Sequence, residues 1–177
     1  MRAVLALSTL AALSTTGCIV ADAPEYGAPS RSPIFMFHPI PSNPGSVQPL
    51  SRKDPLSVAF GATVKSEDAG EQIFTALFFN YKHVGERKYD SQVLKAQTIE
   101  QERQIIFNIT PSRDFPAVPI NTCLTITLLV THLSSWDQST NQFKGPVDDL
   151  ASVTWFATID DDGGALVVNC PTPSTEI

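Results

Sequence analysis

Residues 123–133 read Cys-Leu-Thr-Ile-Thr-Leu-Leu-Val-Thr-His-Leu. Leu124, Ile126, Leu128 and Val130 share one parity. Thr125, Thr127 and Thr131 share the other, with Leu129 as the exception. Alternation of this kind puts one face of a β-strand against a core and the other outward. The β-branched residues that dominate it suit a pleated, half-buried surface. The same pattern recurs on both sides. Val58, Phe60, Ala62 and Val64 alternate with Gly61 and Thr63, and Ile105, Phe107 and Ile109 with Asn108 and Thr110 until Pro111 ends the run. Val153, Trp155, Ala157 and Ile159 alternate with Ser152, Thr154 and Thr158. Ile73 to Tyr81 is apolar on both parities, as a central strand covered on both sides would be. Ala165 to Val168 reads as a short last strand after the Asp160-Asp161-Asp162-Gly163-Gly164 turn. Val93 to Arg103 fits a strand and loop better than a short helix.

Seven or eight short strands and no clear helix predict an all-β fold. The expected form is an antiparallel two-sheet sandwich of immunoglobulin or fibronectin-III type, over residues 56–170. Eight of the 14 prolines lie between residues 19 and 55. Proline fixes φ and lacks a backbone donor, so 18–55 reads as an extended tether. Its apolar patch at 33–38 is the candidate first edge strand. Residues 171–177 read as a tail.

The chain opens with Arg2, an apolar run from Ala3 to Leu13, small residues, and Cys18. That order is a secretory signal peptide at 1–17, its apolar run too short to span a membrane. Gly17-Cys18 at the end of such a leader resembles the lipobox of bacterial lipoproteins, although Thr15 stands where that family usually has Leu. Leader, proline-rich tether and sandwich together resemble the small lipoproteins of bacterial envelopes. The resemblance implies lipidation at Cys18 and anchoring to the membrane by that lipid. With Ile19 after the cysteine, it implies carriage to the outer membrane. It brings no catalytic residues.

Three cysteines in an exported chain leave one over. Lipidating Cys18 leaves Cys123 and Cys170 to form a disulfide in an oxidising compartment. A simple meander places Cys123 near Ile159, so the bridge requires the last segment to leave that hairpin. With 18 acidic and 12 basic side chains and no basic cluster, nucleic acid is not an expected partner.

Chemistry is sparsely signalled, and neither catalysis nor a cofactor is expected. The histidines His38, His83 and His132 lie in separate segments without metalloprotease spacing. His132 falls on the inward parity, as a hydrogen-bonded histidine at the sandwich rim. Ser134, Ser135 and Asp137 beside it have the residue types of a hydrolase but not the assembly from separate segments that such sites use. Asp160, Asp161 and Asp162, joined by Asp148 and Asp149, are weak candidates for calcium. The connection from Ser134 to Leu150 is long for a compact domain, and long loops are often functional. Its Trp136 and Phe143 are the candidate binding residues. The expected role is a non-catalytic envelope module that binds a protein or surface polymer, or is structural. A hydrolase near 134–150 and a calcium-dependent adhesion module are the rivals.

Overall fold

The computed structural model describes residues 34–68, 70–161 and Cys170. The leader, Cys18, Asp162, the strand expected at 165–168 and the tail at 171–177 lie outside the described residues. Among the described residues ten strands appear: β1 (Ile34–Ile40), β2 (Val47–Ser51), β3 (Val58–Ser66), β4 (Ile73–Phe79), β5 (Arg87–Leu94), β6 (Arg103–Ile109), β7 (Cys123–His132), β8 (Trp136–Asp137), β9 (Gln142–Phe143) and β10 (Leu150–Asp160). One short helix, α1 (Pro111–Asp114), follows β6 and opens on a proline, whose fixed φ suits a first helical position. The segment at 93–103 is a strand end and a loop, as expected.

Two sheets face each other. One runs β1-β3-β6 and the other β2-β10-β7-β4-β5. The crossing pattern is the immunoglobulin Greek key: β3 and β6 pair in one sheet, while β10, β7 and β4 lie side by side in the other. The antiparallel expectation holds for every pair in the two main sheets but one. β2 runs parallel to β10, with Phe156 opposite Val47 and Asp160 opposite Ser51. The cause is a switch of sheets. β1 pairs with β3, then the chain crosses to the other sheet and returns along its last strand.

The tether expected through residue 55 therefore ends earlier, because β1 and β2 belong to the sandwich. Pro49 sits in an edge strand, where a missing donor is tolerated. Leu50 is fully buried beside it, and the Pro41 carbonyl accepts the Trp155 Nε1–H at 2.9 Å.

The core lies between the sheets and takes the parities read from sequence. Phe60, Ile105, Ile109, Ile126, Leu128, Trp155 and Ile159 are fully buried there. Trp155 meets Phe60 edge-on at 5.4 Å. Gly61 lets β3 approach β6, since a Cβ would sit 2.0 Å from the Ile105 carbonyl oxygen.

A second, smaller core covers the outer face of β4 and β7. It holds Phe74, Ala76, Phe78, Leu129 and Trp136. The β8–β9 hairpin forms its roof, and Trp136 stacks on Phe74 at 4.5 Å. This explains both irregularities in the pattern: β4 is apolar on both parities, and Leu129 breaks the threonine row of β7.

β6 would leave a row of open carbonyls at a sheet edge, a template for unwanted pairing. Side chains from β5 take them. Tyr89 donates its hydroxyl to the Asn108 carbonyl at 2.8 Å, and Gln92 its amide to the Ile106 carbonyl at 3.2 Å.

Candidate functional site

The two ends of the sandwich differ. At the end where the chain enters, Ile34 pairs with Ser66, and Ile73 pairs with His132. The other end lies roughly 30 Å away, at the rise of a ten-residue strand such as β7.

At the entry end, His132 joins the two sheets. Its Nε2 meets Ser66 Oγ at 2.9 Å, and its Nδ1 is bonded to Asp149 Oδ1. Thr131 Oγ1 donates to the other Asp149 oxygen at 3.3 Å. The Asp68 amide donates to Ser66 Oγ at 3.1 Å. A carboxylate accepts only, so Nδ1 carries the proton. In the neutral ring Nε2 then accepts from the Ser66 hydroxyl. Serine, histidine and aspartate thus connect in the order of a hydrolytic triad. Their burial sets them apart from one. Ser66, His132 and Asp149 are 4%, 0% and 1% exposed. A nucleophile must touch its substrate, and this hydroxyl faces the protein interior. The chain of bonds satisfies buried polar groups and clasps β3 to β7.

The hydrolase residues expected near the loop do not assemble. Ser134 donates to Glu71 Oε2 at 2.9 Å on the surface. Asp137 caps its own turn, and the Ser139 hydroxyl, then the Ser139 and Thr140 amides, hold its carboxyl down at about 2. His132 pairs with Ser66 and Asp149 instead, residues 66 and 17 positions away in the chain. Trp136 is only 4% exposed, so it is a roof rather than an open platform, and Phe143 is half-buried beside it.

Of the calcium candidates, Asp162 lies outside the described residues, and Asp149 does not join Asp160. Asp149 precedes β10 and Asp160 ends it, so the two acidic groups sit about 35 Å apart at opposite ends of one extended strand. Asp161 is paired with Arg52 at 2.8 Å. Among the described residues no three His, Cys, Asp or Glu side chains converge on a metal position. The expected Cys123–Cys170 disulfide is present, with Cα atoms 5.5 Å apart. Cys123 lies opposite Thr158 in the β7–β10 ladder, one residue from the expected register.

At the far end a cleft of about 330 Å³ opens, lined by residues of the β4–β5 turn and of the α1–β7 connection. The turn is held from both sides. Asn80 donates its amide N–H to the Thr125 carbonyl at 2.9 Å, and its Oδ1 accepts the Thr125 N–H at 3.1 Å. The β6–α1 connection is held by Asp114, whose Oδ2 accepts the Thr110 N–H at 2.8 Å and lies 2.9 Å from the Tyr89 hydroxyl, whose single hydrogen it shares with the Asn108 carbonyl. Arg113 adds a bond to Oδ1 at 2.9 Å. Burial alone would raise the Asp114 carboxyl. The bonds from Arg113, Thr110 and Tyr89 overcome it and leave the group below its ordinary range. Burial, then the bond to Asp114, push the Tyr89 phenol upward. Phe115 packs on Phe79 at 4.7 Å and closes the apolar floor. The sequence hinted at this site only through Pro111 and the irregular stretch behind it.

No known protein family matches the chain, and no curated protein resembles it.

Proposed function

We propose that this chain is an exported, lipid-anchored immunoglobulin-like module of the bacterial cell envelope that binds without catalysis. The position of the cleft carries this reading. The described chain begins at Ile34, at one end of the sandwich, and the cleft opens at the other. A lipid on Cys18, through the proline-rich stretch before Ile34, holds the first end toward the membrane and turns the cleft outward. Gly17-Cys18 after an apolar leader supports the anchor, and the Cys123–Cys170 bridge fits an oxidising compartment. The only described triad-like chemistry is sealed inside the fold, which favours binding over turnover.

Metabolic labelling with a palmitate analogue tests the anchor. Wild type carries the label in the membrane fraction, and Cys18→Ser does not. An unlabelled wild-type protein overturns the reading.

A further inference from the structure

Three arginines reach the cleft end, and they are not equivalent. Arg52 is paired with Asp161, and Arg113 with Asp114. Arg87 forms no ion pair among the described residues. Its guanidinium lies over the Phe79 ring at 5.0 Å, and one Nη2 hydrogen goes to the Asp114 carbonyl at 3.2 Å. Ring and carbonyl hold the group in place and leave most of its five donors open.

The rest of the cleft complements that charge. Phe79, Phe115 and Leu124 are buried beneath the cleft, and Pro116, Ala117 and the half-buried Val118 give it an apolar wall. Asn80 has its carbonyl oxygen committed to the Thr125 N–H, so its remaining polar group is the NH2 donor. The Asp114 carboxylate is saturated by Arg113, Thr110 and Tyr89. Arg87 and Asn80 thus keep open donors, while the Asp114 carboxylate and the Asn80 oxygen are occupied. A volume of about 330 Å³ stands at the lower end of small-ligand sites.

We infer that the cleft binds a carboxylate carried on an aromatic or branched apolar body, with Arg87 reading the carboxylate and the more open Pro116–Ala117–Val118 wall taking the body. This deepens the proposed binding role and rests on it. A planar carboxylate fits the guanidinium fork in a bidentate pair. An ammonium group would face the unpaired Arg87 charge. A phosphate monoester would bring a second negative charge, and Arg52 and Arg113 are already paired.

The test uses the mature full chain, with amide shifts followed by NMR during titration. The probes are phenylacetate, phenylacetamide and the peptide acetyl-Ala-Ala-Phe with a free carboxyl end. At about 10 mM, well above a millimolar dissociation constant, phenylacetate shifts residues of the cleft. Phenylacetamide binds roughly ten- to a hundredfold more weakly, the worth of a charge-assisted bond. Arg87→Met removes this preference with an unchanged thermal melt, and Arg87→Lys keeps part of it. Tighter binding of the peptide than of phenylacetate assigns the carboxylate to a chain end, and equal binding assigns it to a free acid. Acid and amide binding alike to wild type, shifts outside the cleft, or a preference that survives Arg87→Met each overturn the inference. The palmitate experiment is independent of all of these. A labelled Cys18 with no carboxylate preference removes the ligand and keeps the anchored module.

Discussion

Trp136→Ala separates a roof from a binding platform. The side chain is 4% exposed and stacks on Phe74 at 4.5 Å. A buried aromatic of this size removes about 150–250 Å² from water, which at roughly 25 cal/mol per Å² is about 4–6 kcal/mol. The β8–β9 hairpin has two residues in each strand, so it settles partly into the vacancy and recovers some of that. A loss of about 3 kcal/mol is expected, at the lower end of measured large-to-small aromatic replacements. Urea unfolding followed by far-UV circular dichroism measures it, with the m-value unchanged. The Phe74→Ala double-mutant cycle adds a check. The double mutant should lose about 0.5–1.5 kcal/mol less than the two single losses added together. A platform residue would leave the midpoint where it was. A loss under about 1 kcal/mol, or no coupling to Phe74, refutes the roof.

Three further outcomes follow from the polar groups. Asp149→Ala should cost about 3 kcal/mol, because it strands the fully buried His132, whereas Ser66→Ala should cost about 1–2 kcal/mol; thermal unfolding ranks them. A fluorophosphonate probe should leave Ser66 unmodified in the folded protein, and an adduct there would reverse the structural reading of the relay. The lowered Asp114 carboxyl stabilises the fold above its unfolded value near 4, and that contribution fades as pH falls through the lower folded value. The stability gap between wild type and Asp114→Asn should therefore narrow below about pH 4 in urea melts, and a gap constant down to pH 2.5 would contradict this.

The parts of the fold legible in the sequence are those with a local period. β3, β6, β7 and β10 each alternate with single exceptions such as Ile106, Leu129 and Phe156, and the core draws on the parity that the pattern marks. The cysteine pair was legible by elimination. β2 was hidden, because Pro49 speaks against a strand and its parallel partner lies more than a hundred residues later. The roof was half-visible. Leu129 on the polar side of β7, and a β4 without any polar side, both called for a second apolar cover. Nothing local named Trp136 as that cover. The relay of Ser66, His132 and Asp149 was invisible, since its members meet only when the two sheets close. The cleft was hidden for the same reason: Arg87 gains its place from Phe79 and the Asp114 carbonyl, contacts made across the end of the sandwich.

β1 is the first strand to feel any pull on the chain upstream of it. It runs antiparallel to β3, from Ile34 at the entry end, and its ladder extends from Ser66 to Gly61. Tension drawn out through that end, with the domain gripped at its far tip, acts along the axis of β1. Its rungs then share the load in shear, whereas a sideways pull would unzip them in succession. Such a ladder yields only when the whole strand slides, so a domain held by its leading strand resists dragging better than peeling.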